Sequence, residues 1–116
     1  MRHLKETKKF HRKKGQRQAL FKGLLNNVII HEKIETSEAK AKALKPRVEK
    51  LVTIGKKQTL ASLRILNSRL PKKAAMKVYY EIAPRYKDRK GGYMRIVKVA
   101  KRQLADGSKK AIIEFV

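Results

Sequence analysis

Residues 94–116 read MRIVKVAKRQLADGSKKAIIEFV, and this stretch decides the fold. Positions 94 to about 101 are rich in β-branched residues, and Ala111 to Val116 form a second run of the same kind. Asp106 and Gly107 lie in the connection between them. Two such runs around an Asp-Gly pair predict a β-hairpin, here with a loop longer than two residues. Most of what precedes the hairpin has helical spacing, so the chain is expected to be α+β: about four helices packed on a small mixed β-sheet, with a basic, extended N-terminal arm.

Upstream, apolar residues mark the helices. Leu20, Phe21, Leu24, Leu25, Val28 and Ile29 make one stripe on a helix from about Gln16 to about His31. Arg17, Lys22, Asn26 and Asn27 fall off that stripe, and Gly23 is a candidate for close backbone approach. Lys33 to Thr36 reads as a strand with Ile34 inward. Thr36 and Ser37 offer a cap for a second helix that reaches about Ile54, with Glu38 in its first turn. Ala41, Leu44, Val48, Leu51 and Val52 form its inner face, Pro46 should kink or restart it, and Gly55 should stop it. Leu60, Leu63, Leu66 and Leu70 predict a third helix ended by Pro71. A fourth is expected over 72–82, with Ala75, Val78, Tyr79 and Ile82 inward and Pro84 as terminator.

Length and charge bound the function. The 116 residues suit one domain, expected as an arm over 1–15 followed by a single folded unit over 16–116. Lys and Arg number 32 against 9 Asp and Glu, for a formal net charge of +23. Such a chain repels itself until a polyanion neutralises it, and nucleic acid is the usual one because each bound phosphate also releases a counterion. A membrane surface fits less well, since the positive charge runs along the whole chain rather than one helix face. No apolar run reaches the roughly 18 residues of a transmembrane helix, and the basic start lacks the apolar segment of a secretory signal. Cysteine is absent, so there is neither a disulfide framework nor a thiolate metal site. These features fit a cytosolic protein.

Two segments carry the candidate contacts. The arm holds Arg2, His3, Lys5, Lys8, Lys9, His11, Arg12, Lys13 and Lys14, opposed only by Glu6. It is expected to meet phosphates, ordering on binding; the plainer alternative is a solvated tail. The loop Arg85-Tyr86-Lys87-Asp88-Arg89-Lys90-Gly91-Gly92-Tyr93 combines cations with paired glycines. Glycine lets a backbone approach phosphate, arginine grips it with two donors, and tyrosine can stack on an unpaired base. The alternative is an ordinary turn with Tyr93 packed on the core. Arg17 and Lys22 extend the cationic surface onto the first helix. His31 reads as a helix cap or dipole partner, and the three histidines lack zinc-ligand spacing. Tyr79 and Tyr80 read as core and surface neighbours. Scattered acids, no nucleophile motif and no phosphate-binding-loop Lys-Ser/Thr after Gly92 argue against catalysis. No cofactor, metal or small-molecule substrate is expected.

In order along nearly the whole chain, Met1-Arg2-His3, His31-Glu32-Lys33-Ile34-Glu35-Thr36-Ser37 with Ala39-Lys40-Ala41-Lys42, Pro84-Arg85-Tyr86, Asp88-Arg89, Gly91-Gly92-Tyr93, Arg95-Ile96 and Ile112-Ile113-Glu114-Phe115 resemble segments of the bacterial large-subunit ribosomal protein L-seventeen family. Gln16, where that family usually carries histidine, Ser37 in place of a second threonine and Met94 in place of threonine depart from its pattern. The resemblance implies a compact α+β protein bound to large-subunit ribosomal RNA near the exit of the peptide tunnel, beside neighbouring large-subunit ribosomal proteins, with no membrane partner. It implies RNA-contact roles for Arg2, His3, Arg12, Arg17, Thr36, Lys40, Arg85, Arg89, Gly91, Gly92 and Arg95. The rival reading is a DNA-binding or nucleoid-associated protein, which would need a groove-reading helix or spaced half-sites.

Overall fold

The elements follow in the order α1 (Lys14–His31), β1 (Lys33–Ser37), α2 (Glu38–Lys56), α3 (Leu60–Arg69), α4 (Lys72–Lys77), β2 (Met94–Arg102) and β3 (Lys109–Phe115). The computed structural model describes residues 8–102 and 107–116, with the backbone alone for 101 and 102. The α+β architecture expected from the hairpin and the helical stripes is present, and the described residues contain one three-stranded sheet. Its order is β1-β3-β2, and both pairings are antiparallel rather than mixed. The reason is the central place of β3. The hairpin makes β2 its antiparallel neighbour, and β1 joins its other edge, also antiparallel.

Register fixes which side chains face the helices. Ile34 stands opposite Ile113, which in turn stands opposite Ile96, and these three face the core. One position along, Lys33, Glu114 and Arg95 share a row on the other face, followed by Glu35, Ile112 and Val97. The helices supply the rest of the core: Phe21, Leu25, Val28 and Ile29 from α1, and Ala41, Leu44, Val48, Leu51 and Val52 from α2. The α2 set is the one the apolar spacing predicts; of the α1 stripe, Leu24 packs against the core only partly buried and Leu20 stands outside it.

Four local expectations change. First, α1 begins at Lys14, so the last two residues assigned to the arm are helical. Gln16 Oε1 accepts the Lys13 backbone N–H at 3.2 Å, which is half of a capping box and gives this departure from the family pattern a local task. Ahead of it, Phe10 packs edge-on against Phe21, with ring centroids 5.6 Å apart, and so ties residues 8–13 to the domain. Second, α2 runs through Pro46 as one element and past Gly55, which is buried inside it. A Cβ at Gly55 would lie 3.0 Å from Ala83 Cβ and 3.2 Å from Val78 Cγ1, so the close approach belongs here; Gly23 has nothing within 4 Å. The left-handed residue that turns the chain is Gln58, at φ 53°.

Third, Leu60 is 63% exposed and Ser62 is buried in its place. Thr59 caps α3 and draws Ser62 inward: Ser62 Oγ donates to Thr59 O at 2.7 Å and accepts from Thr59 N at 3.1 Å, so the buried hydroxyl is satisfied. Fourth, Pro84 does not end the fourth helix. Beyond α4 the helix continues as a π-helical turn, Val78–Ile82, and one α-helical turn, Ala83–Arg85. In the wider π register, residue 84 would donate to the Tyr79 carbonyl, and proline has no N–H to give. Gln58 Nε2 fills that vacancy, donating to Tyr79 O at 2.8 Å and to Gly55 O at 2.8 Å.

Packing at the two helical glycines therefore has opposite consequences. Gly55→Val is expected to destabilise the domain by about 1–3 kcal/mol through overpacking against Val78 and Ala83. Gly23→Ala is expected to stabilise it by about 0.5–1 kcal/mol, since α1 gains helix propensity without a clash. Urea unfolding of the two variants against the parent checks both signs.

Candidate nucleic-acid interface

The glycine loop is built from the inside. Tyr93 is only 2% exposed, with its ring 5.3 Å from Tyr86. Lys56, from the last turn of α2, donates to the Tyr93 hydroxyl at 2.8 Å and to the Arg89 carbonyl, while Tyr93 Oη donates to that same carbonyl at 3.2 Å. Tyr86 Oη donates to Val116 O at 2.7 Å, tying the loop to the end of β3. Tyr93 is thus a core residue, as the plainer of its two readings has it, and it offers no open ring for a base. What the loop does present is Arg89, Lys90, Gly91 and Gly92, all exposed. Arg89 Nε donates to Gly91 O at 3.1 Å, and Gly92 sits at φ +65°, the conformation its lack of a side chain allows.

A second surface is larger. Three adjoining clefts run between residues 8–13, α1 and α2, and on toward the end of α3. Lys8, Lys9, His11, Arg12 and Lys13 line the first. Lys8, Lys42, Arg47 and Lys50 line the next, with Phe21 and Ala43 in its wall. Lys22, Arg47, Lys50 and Arg69 line the third. No Asp or Glu lines any of the three. The Arg47 guanidinium lies 4.0 Å from the centroid of the Phe21 ring, a cation–π contact that fixes its plane.

A fourth cleft, which shares Pro46, Lys50 and Arg69 with them, is lined by Glu49, whose carboxylate accepts the Met94 N–H at 3.4 Å; the ion-paired carboxylates stand outside all four. Glu114, in the middle of its sheet row, pairs with Arg95 Nε at 2.7 Å and with Lys33 Nζ at 3.8 Å. Glu35 pairs with Lys110 at 3.8 Å, and Glu38 with Lys42 at 2.9 Å and Lys98 at 3.8 Å. Glu32 follows α1 in the left-handed conformation, φ 61°, where glycine is usual. Its carboxylate bonds Arg85 and lies 3.4 Å from Lys77, and its carbonyl accepts the Phe115 N–H at 3.2 Å. The hydrogen bond from Arg85 holds the Glu32 carboxyl below its ordinary pKa, against the opposing effect of burial. Among the described residues no helix is long and apolar enough to cross a membrane, and no group of His, Asp and Glu is arranged to hold a metal.

With this geometry in place, comparison with known proteins is decisive. The family described as Ribosomal protein L17 matches residues 20–116. The chain belongs to that family. Large ribosomal subunit protein bL17 of Persephonella marina is 57% identical to it, over all of this chain and 95% of the relative. The protein of the same name from a Sulfurihydrogenibium species is 53% identical over all of this chain and 97% of the relative, and that from a Hydrogenobaculum species 51% identical over all of this chain and 99% of the relative. As an L17-family member the chain is a structural component of the large ribosomal subunit, cytoplasmic in bacteria, and not an enzyme.

Set on this L17 framework, the residues expected at the interface divide into groups. Arg2, His3 and Lys5 lie outside the described residues. Lys8, Lys9, His11, Arg12, Lys13 and Lys22 are brought together along the clefts, and Lys14 is exposed at the start of α1. Arg17 is half-buried and donates to Arg12 O at 3.1 Å, bracing the turn that precedes α1. Thr36 is half-buried opposite Ala111, and Lys40 gives its backbone N–H to Ser37 Oγ at 3.3 Å. Arg85 and Arg95 are exposed but already hold Glu32 and Glu114. The residues that sequence reasoning missed are Lys42, Arg47, Lys50 and Arg69. Their signal was available as the cationic complement of the α2 stripe: if 44, 48, 51 and 52 face in, 47 and 50 face out.

Two outcomes are expected. Since the folded pKa of Glu32 lies below its unfolded one, its contribution to stability is complete above the unfolded value and is lost as pH falls through the folded value. Glu32→Gln should therefore lower the Tm at neutral pH yet show a shallower fall on acidification; parallel Tm profiles from neutral to acid pH would count against the pairing. Gly92→Val should cost about 1–2 kcal/mol from left-handed backbone strain, whereas Gly91→Ala should be close to neutral in the same urea titration.

Proposed function

We propose that this chain binds large-subunit ribosomal RNA and stabilises its packed form. The observation that carries the reading is the set of three adjoining clefts lined by cations and by no carboxylate. In a chain of net charge +23, such a surface needs a polyanion to neutralise it, and phosphates supply both the charge and the counterion release. The RNA-contact groups are those expected of the arm, namely Arg2, His3, Lys5, Lys8, Lys9, His11, Arg12, Lys13 and Lys14, together with Arg17 and Lys22 on α1, Thr36 and Lys40 at the β1–α2 junction, and Arg85, Arg89, Lys90, Gly91, Gly92 and Arg95. Lys42, Arg47, Lys50 and Arg69 join them from the clefts. The family resemblance supports a position near the exit of the peptide tunnel, beside neighbouring ribosomal proteins. Function on this reading is electrostatic: RNA segments that repel one another are held side by side by one rigid cationic body.

The test separates phosphate binding from mere tail solvation. Removing residues 1–9 takes away Arg2, Lys5, Lys8 and Lys9 but keeps the Phe10 contact with Phe21. The truncated protein should fold, bind structured ribosomal RNA fragments more weakly, and show a log-affinity against log-salt slope shallower by about three to four if each of the four lost cations met a phosphate. An unchanged slope would remove the arm from the interface. Equal affinity for duplex DNA and for ribosomal RNA fragments at one salt concentration would favour a general nucleic-acid binder instead.

A further inference from the structure

Within the cationic side of the molecule, one cleft has features that phosphate neutralisation does not require. It has a volume of about 620 Å³, inside the roughly 300–1,000 Å³ range of small-ligand sites, and lies between residue 8 and the outer face of α2. Arg47 forms one wall. One face of its guanidinium rests on the Phe21 ring at 4.0 Å, and Phe21 is itself buried and held edge-on by Phe10. Arg47 is otherwise exposed and makes no hydrogen bond or ion pair with another described residue. Its N–H edge has no partner among the described residues, and its second face is turned away from Phe21. A guanidinium backed by an aromatic ring is a flat, pre-positioned platform, and unpaired bases stack on such planes. Lys8 and Lys50 line the same cleft, also without an ion pair among the described residues, and are the cations available there to a nucleotide's phosphates.

Cations alone suit any polyanion, whereas a stacking plane and two lysines in one cleft together suit a single nucleotide.

We infer that the cleft between Lys8 and α2 binds one unstacked nucleotide of RNA, its base on the outer face of Arg47 and its adjacent phosphates on Lys8 and Lys50. This deepens the RNA-binding reading and rests on it: it adds recognition of an unpaired base to neutralisation of the backbone.

The full chain is titrated with a short single-stranded RNA carrying one 2-aminopurine, whose fluorescence is quenched on stacking, and with the same RNA abasic at that position. The parent should quench the probe and prefer it over the abasic strand. Arg47→Lys keeps the charge but removes the plane; it should bind the probe about tenfold more weakly, lose the quench and keep the salt slope. Ala43→Leu, which fills the cleft without altering charge, should give the same loss, and the melting temperatures of both variants confirm that they fold. Equal quench and affinity in Arg47→Lys, or equal binding of the abasic strand, overturns the inference while leaving RNA binding intact. Failure of the parent to bind any RNA in dilute salt overturns the functional reading itself, and this inference with it.

Discussion

Self-repulsion is the constraint on which this structure depends, because 32 cationic side chains must share one small fold with nine acids. The few carboxylates that make ion pairs stand where backbone geometry brings cations closest together. In the row Lys33-Glu114-Arg95, the central strand places one carboxylate between two cations that would otherwise face each other across about 10 Å. Glu32 and Glu38 flank β1 and Glu35 lies within it, each paired to a cation, so the chain passes from α1 to the sheet and on to α2 through a region of paired charge. Along the helical clefts Lys42 alone has such a partner, Glu38, while Lys8, Arg47 and Lys50 make no ion pair among the described residues.

Rigidity on the cationic surface comes from contacts beneath its exposed side chains. Lys56 braces the Arg89 carbonyl and the Tyr93 hydroxyl from within, so the exposed glycines are displayed on a fixed loop. Phe10 and Phe21 do the same for the segment that precedes α1. The π-helical turn before Pro84 belongs to this framework. It carries the helix past a residue that cannot donate, and Gln58 satisfies the carbonyl left over. Preorganised cations lose less entropy on meeting phosphate than mobile ones do.

Most of the fold was legible because its signals are periodic. The inner faces of α1 and α2, the strand at Ile34 and the final hairpin all follow from apolar spacing, and each depends on many residues agreeing. The misreadings fell on single residues. Gly55 and Pro84 carry strong local preferences as helix terminators, yet Ala83 and Val78 need the space at Gly55, and Gln58 supplies the donor that Pro84 lacks. Such partners are remote in sequence, and no local pattern shows them. Leu60 looked like the start of a stripe, but the Thr59 cap rotated α3 so that Ser62 took the inward place. At the interface, charge density drew attention to the arm and the glycine loop. The α2 stripe already turns Arg47 and Lys50 outward, but no local pattern shows that Phe21 of α1 and Lys8 lie beside them.

The paired carboxylates around β1 and β3 have one further consequence. Glu32, Glu35, Glu38 and Glu114 stand in or beside the sheet with cations paired to them, while Lys8, Arg47 and Lys50 make no ion pair among the described residues, so the charge is spread unevenly over the molecule. In the field of a polyanion it experiences a torque as well as an attraction. It should therefore arrive helices foremost, already turned before first touch, so that fewer encounters are wasted on misaligned collisions.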